Sequence, residues 1–208
     1  MLTKVFTPEE LVPPSWMAAA DGAVMAVFNP AIQRLGDHLV MAYRIVTPDH
    51  TRHIALCRLD ADWNVLPGSV SVVSAAFDFA DDEARPQGWA ADPRLVELGG
   101  RLFMHVNSGS QPRPNRIFLV EIDPDTLRPA GRVREVVRTG RRRDIEKNWI
   151  LFEHQGEVYA VYQFAPLVIL RVDLSDPDRV VCTEAWRHAW DGQAYEETWG
   201  ELRGGATP

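Results

Sequence analysis

Hydrophobic positions along the chain fall in short runs that are separated by polar clusters and glycines. Leu39–Val46, Leu102–Val106 and Val158–Phe164 are rich in β-branched and aromatic residues and are bounded by Gly, Pro, Asp or Asn, which is typical of β-strands. Helix signals are scarce, and the clearest is a single turn at Thr7–Leu11 with a capping-box pattern. The pattern therefore predicts an all-β protein.

One arrangement recurs three times: a polar cluster, an apolar strand, a glycine turn, and a second strand that ends in polar residues. The copies are Asn29–Arg44, Asp92–Asn107 and Asn148–Gln163, with turns about 60 residues apart, a period typical of repeat architectures. Third and fourth apolar segments follow, such as Asn115–Ile122 and Val133–Val137. Four antiparallel strands per repeat form the blade of a β-propeller.

The repeats predict an N-terminal segment, 1–22, and a β-propeller domain of the five-bladed type, 23–208. Blades are expected at approximately 23–75, 88–138 and 145–185, with the start of a fourth at 199–208. About three and a half blades are thus present, whereas propellers close with four to eight. We expect a fragment of a longer propeller, with self-association through the incomplete edge, where Ile150, Phe152, Tyr159 and Val161 would be exposed.

Composition excludes several classes of function. The 208 residues are 46% hydrophobic and 25% charged, with a net charge of -7, so the chain is an ordinary globular protein without the cationic surface that nucleic acids require. The basic run Arg138–Arg143 is interpreted as a solvated loop. No apolar run is long enough to span a membrane and no signal peptide is recognisable, so we expect a cytoplasmic protein with no membrane partner.

Cysteine and histidine positions predict neither a metal site nor a disulfide. Cys57 and Cys182 are far apart in apolar stretches and are expected to be buried thiols. The histidines show no ligand spacing beyond His50 and His53, which flank a predicted turn. Motifs for nucleotide, phosphate or dinucleotide cofactors are not found in the sequence, so no cofactor is expected.

Polar residues of successive repeats are predicted to converge at one mouth of the central channel. The hairpin register places there Asn29, Arg44, Asp92, Arg94, Asn107, Lys147, Asn148, Gln163 and Arg203. Alternation along the strand would put Asp92 and Arg94 side by side. Amides and charges of this kind bind vicinal hydroxyls, and Trp89, Trp149 and Trp199 could stack on a sugar ring. We predict a carbohydrate ligand, although each residue alone is equally compatible with a turn, an ion pair or the core.

Four motifs occur in order at blade spacing: Phe28-Asn29-Pro30, Ala91-Asp92-Pro93-Arg94, Glu146-Lys147-Asn148-Trp149 and Arg203-Gly204-Gly205. Together they resemble the five-bladed β-propellers related to glycoside hydrolase family 130, which includes β-mannoside phosphorylases and mannosidases. They are equally similar to β-mannosyltransferase-like propellers. The resemblance covers roughly residues 25 to 208 and implies a protein that acts on glycosidic bonds.

The resemblance also implies roles for individual residues. Asp92 would be the general acid or a key ligand for a sugar hydroxyl, Arg94 would assist in binding substrate or an anion, and Lys147 and Asn148 would contact sugar. A second carboxylate, which an inverting hydrolase needs, is not identifiable: Glu146 and Glu201 are candidates only by location, and blades outside this sequence could supply another.

Two departures from the family pattern bear on the reaction. Ala91 replaces the usual glutamate, and Tyr162–Pro166 stands where the phosphorylases carry His-Arg-Pro. Phosphorolysis is therefore disfavoured, which leaves glycosyl transfer, hydrolysis or sugar binding alone. The competing interpretation is a non-catalytic carbohydrate-binding or scaffold propeller.

Overall fold

A computed structural model describes residues 4–17, 24–81, 90–109, 114–190, 192–200 and 202–204. The helices are α1 (Pro8–Leu11), α2 (Pro14–Met17) and α3 (Gln193–Trp199), with a 3-10 turn at Ser74–Ala76. The strands are β1 (Ala26–Leu35), β2 (His38–Val46), β3 (Arg52–Leu59), β4 (Ser71–Val72), β5 (Ala91–Leu98), β6 (Arg101–Asn107), β7 (Ile117–Asp123), β8 (Arg128–Pro129), β9 (Arg134–Arg138), β10 (Ile150–His154), β11 (Glu157–Gln163), β12 (Leu167–Asp173) and β13 (Arg179–His188). None of these helices is long and apolar enough to cross a membrane.

The first sheet is a four-stranded antiparallel meander in the order β1-β2-β3-β4. Its first two strands are joined by the tight turn at Gly36, which has a φ of 56°, and glycine reaches that conformation without steric cost. The antiparallel pairing of these two strands places Phe28 opposite Arg44. The start of β1 and the end of β2 therefore lie side by side at the same end of the sheet.

The second sheet joins two further meanders, β5-β6-β7-β9 and β10-β11-β12-β13. They meet where β9 and β13 run parallel, with Val136 opposite Val180. The repeat pattern did not predict this junction, because a pairing across more than 40 residues leaves no local signal in the sequence. The fold class is confirmed as an all-β propeller of four-stranded meanders; the exact blade boundaries stay a prediction.

Two apolar clusters hold the three meanders together. One lies between the first and second meanders and includes Ile54, Leu56 and Met104. Another lies between the second and third and includes Phe103 and Trp149. Alternate residues of one strand thus reach different clusters, since successive side chains point to opposite faces. The second meander is thus packed on both faces against its neighbours, as the blades of a propeller are.

The N-terminal helices cover the remaining face of the first sheet. Leu11 and Val12 pack into its third apolar cluster, and the buried hydroxyl of Tyr43 donates to the Leu11 carbonyl oxygen at 2.6 Å. The predicted turn at Thr7 is present, with the Thr7 N–H donating to Glu10 Oε2 at 2.8 Å. The prolines after α1 do not end the helical region, because α2 begins at Pro14, a position that helix starts tolerate.

The flank of the third meander is less open than the sequence suggested. Ile150, Phe152, Tyr159 and Val161 are half-buried, with the rings of Phe152 and Tyr159 stacked 5.8 Å apart. The more exposed apolar surface is at the end of β13, which is solvent-exposed from residue 183 onward. Self-association stays a prediction.

Both cysteines are free and buried, as predicted. Burial raises the pKa of the Cys57 thiol to about 12 and that of Cys182 to about 12 as well. Neither thiol is therefore a nucleophile at neutral pH, because the thiolate is the reactive form.

Candidate functional site

The same backbone feature opens all three repeats. Asn29, Asp92 and Asn148 adopt left-handed conformations, with φ values of 56°, 51° and 61°. A register shift accompanies the first, between Phe28 and Ala31, and a matching shift accompanies the second. Bulges of this kind re-aim side chains, and asparagine and aspartate are the non-glycine residues that tolerate this region best. The Asn29 and Asp92 side chains are thereby re-aimed within β1 and β5, whereas Asn148 precedes β10.

Asp92 lies at the centre of a hydrogen-bonded cluster that spans two meanders. Its Oδ1 accepts from Asn29 Nδ2 and from Arg44 NH1, the latter at 3.0 Å. Its Oδ2 accepts from Asn107 Nδ2 at 2.9 Å. Both oxygens therefore act as acceptors, as they do in an ionised carboxylate. The Asp92 side chain remains 34% exposed, so a ligand can still reach it.

Arg44 is the buried counter-charge of this cluster. Its side chain is only 9% exposed, and its guanidinium lies 3.9 Å from the ring centroid of Phe28, within cation–π range. Burial lowers the pKa of Arg44, whereas the nearby charge of Asp92 acts to raise it. The pair joins β2 of the first meander to β5 of the second.

Arg94 does not pair with Asp92 as the strand alternation suggested. The register shift before Arg94 breaks the alternation, so its NH2 group donates instead to the Gly204 carbonyl oxygen at 2.8 Å and lies 3.4 Å from Asn148 Oδ1. Burial lowers the pKa of Arg94, against the raising effect of Asp92. Arg94 therefore connects the Asp92 cluster to the third repeat and to the C-terminal segment.

Beside this cluster lies a cavity of about 430 Å³, within the range of small-ligand sites. Four of the residues predicted from sequence line it: Lys147, Asn148, Gln163 and Arg203. The structure thus brings the predicted residues together as a hydrogen-bonded cluster and an adjoining cavity. Their roles stay predictions, since proximity does not by itself show binding.

The expectations for Trp149 and Glu146 were wrong. Trp149 cannot stack on a sugar, because it is 1% exposed and packs edge-on against Tyr162 at 5.1 Å. Glu146 is 2% exposed and accepts from the Arg143 backbone N–H at 2.9 Å, so it does not reach the mouth. Trp199 is exposed in α3. Trp89, Glu201 and Gly205 lie outside the described residues.

Sequence reasoning missed three residues next to the site. Asn115 is buried, donates to Asn107 Oδ1 at 3.3 Å and leaves its own Oδ1 without a partner. Arg143 donates to Gln163 Oε1, and Tyr162 lines the same cavity. The two loop residues, Asn115 and Arg143, lie outside the three hairpins, so the repeat could not reveal them. The solvated-loop interpretation of Arg138–Arg143 was wrong in part, because Arg138 and Arg142 are half-buried in ion pairs.

His105 is a buried histidine directly beneath the site. It lies opposite Arg94 in the β5–β6 register, is 3% exposed and leaves Nε2 unpartnered. Burial, with a smaller contribution from the charge of Arg94, lowers the pKa of His105 to about 3. The histidine is therefore neutral in the folded protein at any pH near neutrality.

This burial predicts a pH-dependent stability. An unfolded histidine has a pKa near 6.5, so between pH 6.5 and 3 the unfolded chain binds one proton more than the folded chain at this position. The contribution of neutral His105 to the free energy of unfolding is complete above pH 6.5 and falls by about 1.4 kcal/mol per pH unit below it. We expect His105→Leu to unfold at the same or higher denaturant concentration at pH 7 and to be clearly more stable than the wild type at pH 5.

The measurement is chemical denaturation at both pH values, followed by circular dichroism. His154→Leu is the matched control, because His154 is exposed and its removal is expected to leave the pH dependence unchanged. An unaltered slope in His105→Leu would show that His105 is protonated without cost in the folded state.

Within the described residues, no group of three or more His, Cys, Asp or Glu side chains is arranged to hold a metal ion. The cluster itself contains one carboxylate together with several amides and guanidinium groups. Such groups recognise hydroxyls and anions, because they present fixed donors and acceptors in place of water.

Solved structures of glycoside hydrolases of family 43, which are five-bladed β-propellers, share this fold. RS223 β-xylosidase superposes with a TM-score of 0.56 at 11% identity, over 88% of this chain and 60% of that one. CoXyl43, a β-xylosidase/α-arabinofuranosidase from a compost microbial metagenome, gives 0.53 at 11% identity over 79% and 57%. The GH43_1 enzyme from Xanthomonas citri, complexed with xylotriose, gives 0.53 at 10% identity over 77% and 55%.

These similarities establish the fold, a glycoside hydrolase-type propeller, and at such low identity they establish the fold alone. The chain spans about 55–60% of the length of these enzymes. No protein-family model matches the sequence, and no curated protein matches it either. The specific resemblance to family 130 stays a prediction.

Proposed function

We propose that this chain forms the sugar site of a carbohydrate-active propeller that acts on glycosidic bonds. The observation that carries the proposal is the convergence of the opening residues of all three repeats: Asn29 donates to Asp92, and Arg94, two residues after Asp92 in the chain, donates to Asn148. One carboxylate surrounded by amides and guanidinium groups offers both donors and acceptors to vicinal hydroxyls. The xylotriose bound by two structural neighbours is consistent with this proposal.

In the proposed reaction Asp92 acts as an ionised group. Glycosidic bond cleavage passes through an oxocarbenium-like transition state, and a fixed carboxylate stabilises developing positive charge. Its three N–H donors hold it in place before substrate arrives. The role of general acid fits this arrangement less well. Both Asp92 carboxylate oxygens accept from N–H donors, so the O–H group of a protonated Asp92 would face one of those donors.

A second function, carbohydrate binding without turnover, is favoured by one specific observation. Hydrolysis of a glycoside ordinarily needs two carboxylates, and Glu146, one of the two candidates, is buried behind Arg143 and Tyr162 and does not line the cavity. The finer assignment, to propellers related to family 130 or to β-mannosyltransferases, rests on the four sequence motifs. We assign β-mannosides as the first substrates to test on that basis.

Asn148→Gly tests the sugar site directly. It removes the amide that lines the cavity but keeps the left-handed backbone that Asn148 adopts. We expect mannose or methyl β-mannoside to bind roughly tenfold more weakly, the loss of one or two hydrogen bonds to a ligand. Isothermal titration calorimetry measures the change.

Gln155→Gly is the matched control, because Gln155 also has a positive φ, 52°, and lies exposed in the β10–β11 turn. It is expected to bind sugar as the wild type does. If both variants bind sugar equally weakly, the cause is a change in the backbone, and Asn148 does not belong to the sugar site.

Release of nitrophenol from aryl β-mannosides and β-xylosides by the wild-type chain distinguishes turnover from binding alone.

A further inference from the structure

Asn115 is a buried residue that reaches Asp92 through one intermediate side chain. It lies just before β7, is 5% exposed and donates through its side-chain NH2 group to Asn107 Oδ1 at 3.3 Å. Asn107 in turn donates to Asp92 Oδ2 at 2.9 Å. The three side chains form a series of hydrogen bonds that leads from the interior of the protein to the partly exposed carboxylate.

We propose that Asn115 is a positioning residue of the sugar site, which fixes the orientation of the Asn107 amide and, through it, the direction of the Asp92 carboxylate. The inference rests on the proposed carbohydrate function and adds to it a residue that contacts no ligand itself. Three observations carry it: the donors around the Asn107 oxygen, the backbone partners of Asn115, and the unsatisfied oxygen of its side chain.

The orientation of the Asn107 amide is decided by the donors around its oxygen. Asn107 Oδ1 accepts from the Gly109 backbone N–H at 3.2 Å and from Asn115 Nδ2 at 3.3 Å. A backbone N–H can only donate, so the oxygen of the amide faces these two groups and its NH2 group faces Asp92. If the amide turned over, its oxygen would face the carboxylate, and two acceptors repel each other. Asn115 therefore supplies one of the two contacts that keep this donor on Asp92.

The backbone of Asn115 is held by the loop that precedes the third hairpin. Its N–H donates to the Asp144 carbonyl oxygen at 2.9 Å, and its own carbonyl oxygen accepts from the Glu146 N–H at 3.1 Å. Lys147 and Asn148, which line the cavity, follow directly in the same loop. Asn115 thus contacts the carboxylate cluster through its side chain and the cavity loop through its backbone, so both parts of the site are fixed to the same residue.

The side chain of Asn115 is incompletely satisfied, which argues against a purely structural role. Its Oδ1 atom is buried and has no hydrogen-bond partner among the residues that the structure describes. A buried acceptor without a partner costs at least as much free energy as a typical hydrogen bond contributes. An apolar side chain would therefore serve the fold about equally well, but it would lack the donor to Asn107.

Two substitutions of opposite size test the proposal: Asn115→Leu and Asn115→Ala. Both remove the donor together with the unsatisfied oxygen, whereas a packing effect would separate the larger side chain from the smaller one. We expect both variants to bind mannose or methyl β-mannoside about tenfold more weakly in calorimetric titrations, because side chains that contact a ligand depend on the residues that orient them. At least one of the two is expected to unfold at the denaturant concentration of the wild type.

Ile117→Val is the matched control, because Ile117 lies opposite Asn107 in the β6–β7 register and is 1% exposed. The loss of one buried methylene group lowers stability and leaves the hydrogen bonds in place. This variant is therefore expected to unfold more easily and to bind sugar as the wild type does. Wild-type binding in both Asn115 variants, or weakening that follows stability in all three variants, would overturn the positioning role.

The side-chain amide resonances of Asn107 in ¹H–¹⁵N NMR spectra provide a second measurement, which needs no sugar. The proton donated to Asp92 is expected to resonate downfield of the amide protons of exposed asparagines, because a carboxylate is a strong acceptor, and to move toward them in both Asn115 variants. An unchanged resonance would overturn the proposal, even in a chain whose sugar binding depends on Asn148. A resonance that moves in a chain that binds no sugar would reject the proposed function, and with it the role of Asn115 in recognition.

Discussion

Asp92→Asn is expected to lower glycosidic turnover by about a hundredfold or more, the cost of removing a preorganised charge from a transition state. It is also expected to lower the unfolding temperature. Arg44, with a side chain only 9% exposed, would lose its counter-charge, and a buried charge without its partner is strongly destabilising. The new amide NH2 group would also face N–H donors where Asp92 now accepts.

Turnover is measured on the aryl glycoside that the wild type cleaves fastest, well below the unfolding temperature of the variant, with the folded fraction checked by circular dichroism. Asp62→Asn, at an exposed turn residue, is the control and is expected to match the wild type in both assays. Wild-type turnover in folded Asp92→Asn protein would remove the carboxylate from the mechanism and leave Asp92 with a structural role.

Gly204→Ala is expected to disrupt the site because the added methyl group would clash with neighbouring atoms. A Cβ atom at Gly204 would stand 2.1 Å from the Asn148 carbonyl oxygen and 2.8 Å from Ile150 Cγ1, far inside contact distance. The C-terminal segment must then move, and Arg94 loses its 2.8 Å hydrogen bond to Gly204. We expect a loss of stability of about 1–3 kcal/mol and a loss of sugar binding of at least about tenfold.

Gly131→Ala provides the comparison for this change, because a Cβ atom there meets nothing within 4 Å. Thermal unfolding and sugar titration are expected to be unaltered in that variant. If Gly204→Ala behaves as Gly131→Ala does, then the close approach of the C-terminal segment to Asn148 does not persist in solution.

The hairpin repeat explains why much of the site could be predicted from the sequence. Asn29, Asp92 and Asn148 occupy the same position in three similar units, so a radial arrangement of those units must bring them together. Strand patterns and turn glycines predict a hairpin more strongly when the same unit recurs along the sequence.

The details that failed depend on geometry that the pattern does not encode. A one-residue register shift before Arg94 was enough to exchange its partner, because a strand reverses its faces with each residue. Trp149 and Glu146 lie within two residues of Asn148 in the motif, yet both side chains are buried. Arg143 reaches the site from a loop, and loops carry no periodic signal.

The left-handed backbone at the start of each repeat has a consequence for how such a site can change. Glycine, asparagine and aspartate adopt φ values near +55° most readily, so the conformation favours these residue types at positions 29, 92 and 148. Exchange between asparagine and aspartate leaves shape and backbone unaltered while it changes charge. The number of carboxylates at these three positions can thus be varied one at a time without a change of backbone conformation, provided that the partners of each side chain tolerate the change of charge.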